Sequence, residues 1–283
     1  MDRNKLTIVL VSYFSFNHLK RISKELKKYQ ILIIENSRDK LVQKYFNKKK
    51  NIEVIFPKKN LGYGEGNNLG ISLANTDYCL ILNPDTSFKE KNIQTLFYYI
   101  KKIENFGILF PRLKNNASKK FFKGRKLDFA KVNYKCIGQD LASGCCMLIN
   151  KKKFKKKSLF DKKIFFYQEE TDLIKNCNEH NIDTFLLKHS VVIHFGSKSV
   201  EAKDSEFEIF RNWHWMWSSF YFYKKHFGFN YALTKYLKKI VTSFLKKKIF
   251  FLFKNPKYKI YQARFNGLWS SIRNKPSDYR INF

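Results

Sequence analysis

"YCLILNPDTSF", residues 78–88, decides how the first half of this chain is read. An apolar run ends at a proline and is followed at once by one carboxylate, Asp85. Pro84 fixes its own φ and pushes Asn83 into extended backbone, so a strand through Leu82 ends at a defined angle. The carboxyl end of a strand is where an open α/β sheet places its ligand. A surface Asp-Thr turn would explain a lone Asp as well, so the flanking sequence has to decide.

Working outward, residues 6–12 (LTIVLVS), 30–35 (QILIIE) and 51–56 (NIEVIF) are equally short runs rich in Ile, Val and Leu. They have the pattern of strands buried on both faces. Between the first two, "FNHLKRISKELKKYQ" spaces Leu19, Ile22 and Leu26 as one face of a helix with a lysine-rich outer face. "GNNLGISLANT" and "NIQTLFYYIKKI" predict two more helices. This alternation predicts an α/β layer with a mostly parallel sheet and the potential for a nucleotide site.

Beyond residue 107 the pattern is less regular. It contains "GILFPRL", a lysine-rich loop near 114–126, and "ASGCCMLIN", read as a strand returning to the sheet. "FDKKIFFYQEETDLIKNCNEHN" predicts a helix opened by acidic residues, which suit its positive N-terminal end. "IDTFLLKHSVVIHFGS" predicts two further short strands. From about residue 205 the composition turns to Trp, Tyr, Phe and Lys at helical spacing. The expected organisation is a domain over 1–204 and a helical, aromatic and basic extension over 205–283.

Composition narrows the classes. With 44% apolar and 17% aromatic residues the 283-residue chain fills a core, which excludes global disorder. A formal net charge of +33 implies a negatively charged partner surface: nucleic acid, anionic lipid or a phosphorylated substrate. The five cysteines form no CxxC pair, and no His stands at zinc-finger spacing, which fits a reducing, cytosolic compartment. The first apolar run is too short and strand-like for a signal peptide. "IVTSFLKKKIFFLF" is broken by three lysines, so no membrane span is expected.

Four segments carry chemistry. In "ENS", Glu35 ends the second strand, where an acid accepts a hydrogen bond from a base or ribose, or simply forms a turn. In "NLGYGEGNNLG", Gly62, Gly64 and Gly66 allow close backbone approach to a ligand. Asn67 and Asn68 then start a helix whose N–H groups can hold an anion. No GK[ST] follows, so this is not a Walker A loop. One Asp at a strand tip, such as Asp85, can suffice for a divalent cation on a diphosphate, because phosphate oxygens and water complete the coordination. In "FFYQEETDL", Glu169, Glu170 and Asp172 lie within one helical turn. Crowding there raises the pKa of at least one and makes a general base, unless the cluster is merely a solvated helix start. His194, ending "VVIHFGS", is a further metal or phosphate ligand, or a structural histidine.

The order "VSY", "ENS", "NLGYGEGNN", "LILNPDT", "ASGCCMLI", "FFYQEETDL", "VVIHFGS" resembles the family 2 glycosyltransferases with a GT-A fold. The resemblance covers about residues 5–200 and points to the bacterial rhamnosyltransferase-like branch of cell-surface polysaccharide assembly. "RNWHWMWSSFYFYKKHFG" resembles that branch's helical tail. The resemblance implies a Rossmann-like, mostly parallel sheet flanked by helices. It implies that Ser12, Tyr13 and Glu35 line the base and ribose pocket. Asn60, Gly62, Gly66, Asn67 and Asn68 would surround the nucleotide and sugar diphosphate. Asn83 and Asp85 would take the place of the DxD-type motif, with Asp85 on Mg²⁺ or Mn²⁺ and His194 closing on the metal-diphosphate. Glu170 would be the catalytic base, flanked by Glu169 and Asp172. Two departures stand out: the family usually has Asp at positions 35 and 170, and often Asn where Phe14 stands. The longer Glu170 leaves Glu169 and Asp172 open as the base.

The implied reaction is inverting transfer from a nucleoside-diphosphate sugar, with rhamnose suggested by the branch. The acceptor would be a glycan or a polyprenyl-diphosphate-linked molecule. Trp213, Trp215, Trp217, Tyr221, Phe222 and Tyr223 beside Lys224 and Lys225 read either as an interfacial helix resting on anionic lipid or as packing on the catalytic domain. The expected location is the cytoplasm, peripheral to the inner face of the membrane. Three other readings stay open. A basic nucleic-acid-binding protein would account for the charge, but no motif for it is present and no nucleic acid is expected. A nucleotidyltransferase would carry a glycine-rich loop where "SYFSFNH" stands. The altered base position leaves room for an inactive transferase homologue.

Overall fold

The computed structural model describes residues 5–124, 126–138, 141–155, 158–195 and 205–280. Strand and helix alternate from the start: β1 (Leu6–Ser12), α1 (Phe16–Glu25), β2 (Gln30–Glu35), α2 (Lys40–Phe46), β3 (Ile52–Ile55), α3 (Gly62–Leu73) and β4 (Tyr78–Leu82). Shorter elements follow: β5 (Thr86–Ser87), α4 (Glu90–Lys102), β6 (Ile108–Leu113), α5 (Asn116–Phe122), β7 (Phe129–Lys131), α6 (Tyr134–Gly138) and β8 (Cys146–Asn150). The chain ends with α7 (Glu169–Glu179), β9 (Thr184–His194), α8 (Ser205–Phe227), α9 (Phe229–Leu252) and α10 (Tyr258–Ile272). Two compact units result, Met1–Phe160 with Glu170–Glu201, and Asp161–Glu169 with Ala202–Phe283. The expected boundary after residue 204 falls outside the described residues.

In the first unit the described strands form one nine-stranded mixed sheet in the order β3-β2-β1-β4-β8-β6-β9-β5, with β7 on β9. Strands β3, β2, β1 and β4 run parallel, and β8 lies antiparallel to both β4 and β6. The chain winds outward from β1 to β3, then crosses to the other side of β1 as β4. The winding direction therefore reverses between β1 and β4, the kind of point where α/β sheets open a ligand crevice. Ser12 ends one of these strands, and Asp85 follows the other by three residues.

Alternating side chains explain why these strands are apolar throughout. Ile8, Leu10 and Leu80 face one core with Leu19 and Ile22 of α1 and Ile93 and Leu96 of α4. Val9, Cys79 and Ile81 face the other, with Ile71 of α3 and Leu173 and Ile174 of α7. The α/β layer with its mostly parallel sheet, and the C-terminal helical region, are as the sequence predicts.

Three local expectations are corrected. Helix α3 opens at Gly62, so the glycine-rich stretch is itself helical rather than a loop ahead of the helix. A Cβ on Gly70 would come within 2.3 Å of Val9 Cγ1, and one on Gly66 within 3.0 Å of Val11 Cγ1, so glycine lets α3 pack closely on β1. The lysine-rich stretch near 114–126 holds α5, capped by the Asn115 side chain, which accepts from Ser118 N at 2.9 Å. The two strands expected after residue 182 are the single strand β9. Its pairing with β6 jumps from Leu187 to Val191, so the polar "KHS" is an irregularity within the strand and not a break.

The second unit has helices α8, α9 and α10 at its centre. Met216 and Phe220 of α8 pack with Ala232 and Tyr236 of α9 and Leu268 of α10, while Trp213 and Trp217 pack with Ala263. Trp217 Nε1 donates to Lys275 O at 3.0 Å. His214 is fully buried, with Ser277 Oγ 3.0 Å from Nδ1 and Tyr279 O 2.8 Å from Nε2. Nε2 therefore donates to the carbonyl. Burial pushes the imidazole pKa down to about 3, so it stays neutral. Trp213, Trp217 and Phe222, which the sequence reads either as lipid-facing or as packed, are buried, and only Trp215 of that trio of tryptophans is exposed. Among the described residues no helix is long and apolar enough to cross a membrane.

Candidate active site

The turn after β4 is held from several directions. Thr86 N donates to Asn83 O at 3.1 Å and closes the turn, and Asn83 N donates to Cys145 O at 2.8 Å. From α1, the Arg21 guanidinium donates to Pro84 O and Thr86 O, both at 3.1 Å, and so brackets Asp85. Arg21 also lies 5.2 Å from the Phe195 ring centroid. On the far side β5 pairs with β9, placing Thr86 opposite His194, and Phe195 N donates to Asp85 O at 3.1 Å.

Within this frame the Asp85 side chain is wholly buried. Oδ1 lies 3.2 Å from His194 Nε2, and Oδ2 has no hydrogen-bond partner among the described residues. Burial pushes the Asp85 carboxyl pKa up, but the His194 contact and charge outweigh it and hold it below its ordinary value. A buried, ionised carboxylate with an open oxygen is costly unless a cation completes it. Among the described residues no three His, Cys, Asp or Glu side chains converge into a complete metal cage. The donor set, one carboxylate with an imidazole beside it, fits a hard divalent cation whose remaining ligands come from a diphosphate and water.

Glu170 lies in the first turn of α7 and is half-buried. Its carboxyl rests on Gly144, where a Cβ would come within 3.1 Å of Glu170 Cδ. The Gly144 carbonyl accepts the Tyr63 hydroxyl, and the next carbonyl, Cys145 O, takes the Asn83 amide. One stretch of backbone, residues 144–145, therefore touches both the Glu170 carboxyl and the Asp85 turn. Burial raises the Glu170 pKa, and the amides of Glu170 and Gly144 and the charge of His194 offset this only in part. The largest cause is burial, where the sequence suggests crowding. Glu169 and Asp172 are buried more deeply, and Asp172 Oδ2 accepts from Asn176 Nδ2 at 3.3 Å. Of the three acids, Glu170 is the one with surface left to meet an incoming hydroxyl.

The ends of β1 and β2 form the neighbouring part of the crevice. Ser12 stands opposite Glu35 in register. Glu35 is fully buried; Oε1 accepts the Ser37 amide at 2.8 Å and the Ser37 hydroxyl. Glu35 Oε2 and Ser12 Oγ are buried with no hydrogen-bond partner among the described residues. Burial first, and the Glu35 charge second, raise the Tyr13 hydroxyl pKa. Asn60 Oδ1 accepts from Gly62 N at 2.9 Å, and Gly62 has φ +74°, which glycine alone adopts without strain.

Asn67 Nδ2 donates to Tyr63 O at 3.0 Å. The Asn68 amide donates to Phe160 O at 2.9 Å and Ser158 Oγ at 3.0 Å, and it accepts from the Leu159 and Phe160 amides, both at 2.9 Å. Its hydrogen-bonding capacity is spent on residues 158–160, so any effect on a nucleotide is indirect. Sequence reasoning missed Asn36, Arg21 and Gly144. Asn36 Nδ2 donates to Gly62 O at 3.2 Å and Oδ1 accepts from Leu61 N at 3.0 Å, tying the end of β2 to the start of α3. Its place inside "ENS" was the one available signal.

A sequence profile of glycosyl transferase family 2 matches residues 8–157, more than half of the chain, and the chain belongs to that family. It is 25% identical over 248 residues to an uncharacterized glycosyltransferase of Methanocaldococcus jannaschii, covering 81% of this chain and 84% of that protein. Its fold is similar to a mannosyltransferase of Pyrobaculum calidifontis in complex with GDP-Man and Mn²⁺. The TM-score is 0.58 at 9% identity, over 96% of this chain and 88% of the other. GalNAc-T7 with UDP, GalNAc and Mn²⁺ matches with a TM-score of 0.53 at 12% identity over 77% of this chain, which spans about half (49%) of that protein's length. The protein is thus a nucleotide-sugar glycosyltransferase with a GT-A fold.

Proposed function

We propose that residues 1–204 form an inverting, metal-dependent transferase that moves a sugar from a nucleoside diphosphate to a glycan or polyprenyl-diphosphate-linked acceptor in cell-surface polysaccharide synthesis. The observation that carries this is the pairing, through residues 144–145, of a buried carboxylate with an open oxygen among the described residues and a largely buried acid of raised pKa. Asp85, with His194 beside it, is the residue that would hold Mg²⁺ or Mn²⁺. When bound, that cation supplies Lewis-acid neutralisation of the departing diphosphate. The similar mannosyltransferase and GalNAc-T7 structures each hold Mn²⁺ with a nucleotide, which supports the reading.

The chain's own residues do the rest. A ribose or base donor hydrogen would complete Glu35 Oε2, and Ser12 and Tyr13 would wall the same pocket. Glu170 accepts the proton of the acceptor hydroxyl as its oxygen attacks the anomeric carbon. The bond to the diphosphate oxygen breaks as the new glycosidic bond forms, and the proton ends on Glu170. One displacement inverts the anomeric centre. A carboxyl of raised pKa is better matched to this proton than an ordinary glutamate. Rhamnose, from a dTDP donor, is the sugar proposed from the resemblance, with the reaction on the cytoplasmic side of the membrane.

A panel of dTDP-, UDP- and GDP-sugars, scored by thermal stabilisation with Mn²⁺ and with chelator, tests the reading. One donor class should raise the melting midpoint only with the cation, and Asp85→Asn should lose that rise. Stabilisation independent of both would remove Asp85 from the reaction.

A further inference from the structure

In the aromatic and basic tail, the exposed large apolar side chains lie mainly on α9 and not on α8. Helix α9 turns Ala232, Tyr236 and Ser243 inward. Leu237, Val241, Phe244, Leu245 and Leu252 share the opposite side, within an arc of roughly 100° at 3.6 residues per turn. All five are exposed. Where α9 turns toward α10, Phe251, Leu252 and Phe253 are 65%, 77% and 79% exposed. Large apolar side chains this open, and this contiguous, mark an interaction surface rather than ordinary surface scatter.

Charge identifies the partner. Lys238, Lys246 and Lys248 lie along the exposed part of α9, and Lys254, Lys257 and Lys259 surround its end; all are exposed. From residue 229 to residue 277 the chain contains no Asp or Glu at all. A second copy meeting this face through a two-fold axis would set lysine against lysine. Nucleic acid would satisfy the charge and could stack on Phe244, Phe251 and Phe253, but it would leave the aliphatic Leu237, Val241, Leu245 and Leu252 in water. An anionic bilayer satisfies both halves: headgroup phosphates meet the lysines while Phe, Leu and Val enter the acyl boundary.

We infer that the exposed side of α9 and the tip at Phe251–Phe253 dock the protein on an anionic lipid surface. The membrane-facing element is α9, not the tryptophan-rich α8. This inference stands apart from the transferase reading, and its test involves no catalysis.

The experiment is co-sedimentation of the full chain with vesicles of phosphatidylcholine alone and of phosphatidylcholine with phosphatidylglycerol. The protein should pellet with the anionic vesicles and detach as salt is raised. Combining Phe251→Ser, Leu252→Ser and Phe253→Ser should lower partitioning at least about tenfold, since most of the inserted apolar surface is gone. The melting midpoint should stay near that of the parent, because these side chains are mostly in solvent. Trp215→Ser, exposed on α8, should bind like the parent. Should the triple variant misfold, Lys254→Glu with Lys257→Glu gives the same reading through charge. The inference is overturned if the parent stays in solution with anionic vesicles, or if the tip variants bind as well as it does. It is equally overturned if the tip variants dissolve a dimer seen by sedimentation velocity, or if short RNA is bound in preference to the vesicles.

Discussion

At the scale of single residues, the site turns on what Asp85 and Glu170 each lack. Asp85 lacks a partner for Oδ2 among the described residues, and Glu170 lacks enough solvent to ionise as readily as an ordinary glutamate. Asp85→Asn keeps the shape and removes the charge, so transfer should fall about 10²–10³-fold, measured as turnover at saturating donor. Its melting midpoint should fall slightly, because the His194 contact that holds the carboxylate ionised is weakened. Glu170→Gln should lower turnover about 10²–10⁴-fold with donor affinity nearly constant. A base works ionised, so the raised pKa predicts that the parent's rate falls with acidification at a higher pH than an ordinary glutamate would give. A greater loss at Glu169→Gln than at Glu170→Gln would reassign the base. The placement of Asp85, Glu170 and His194 at or beside element ends was legible in the sequence, because each adjoins an apolar run. Arg21, Asn36 and Gly144 were not, since they act through backbone carbonyls and amides that only the folded chain brings near.

At the scale of elements, close approach is set by glycines whose purpose periodicity does not show. Gly267 in α10 faces α8 so tightly that a Cβ would come within 2.3 Å of Trp213 O. The obstructing atom is backbone and cannot rotate away. Gly267→Ala should therefore cost about 1–3 kcal/mol, read as a lowered urea midpoint, as overpacking does elsewhere. An unchanged midpoint would mean that α8 and α10 can separate without loss. Strands β1, β2 and β4 were readable because burial on both faces leaves an unbroken apolar run. Strand β9 read as two because its irregularity brings polar residues into the middle of a strand. The glycine-rich start of α3 read as a loop because glycine is a poor helix former in isolation, while packing on Val9 and Val11 decides its state here.

At the scale of the whole molecule, stability depends on pH through a histidine buried in the second unit. The second unit keeps His214 neutral with a pKa of about 3, against about 6.5 unfolded. Between these values the unfolded chain binds the proton and the folded one does not, so stability falls as pH drops through that window. By pH 5 the loss should be about 2 kcal/mol. Melting of the full chain between pH 7.5 and pH 5 should show this, and His214→Gln should flatten the slope. A slope unchanged in that variant would assign the effect to other groups.

What the sequence determined by itself is the α/β alternation, the strand-end acids and the family, because apolar runs and polar tips are local patterns. The helical character of the tail was legible for the same reason. Only the tertiary structure decided which glycines pack helices, which of three adjacent acids keeps contact with solvent, and which tail residues are core. Each depends on what lies opposite in space, and that is fixed by strand order and helix packing rather than by neighbours in the chain.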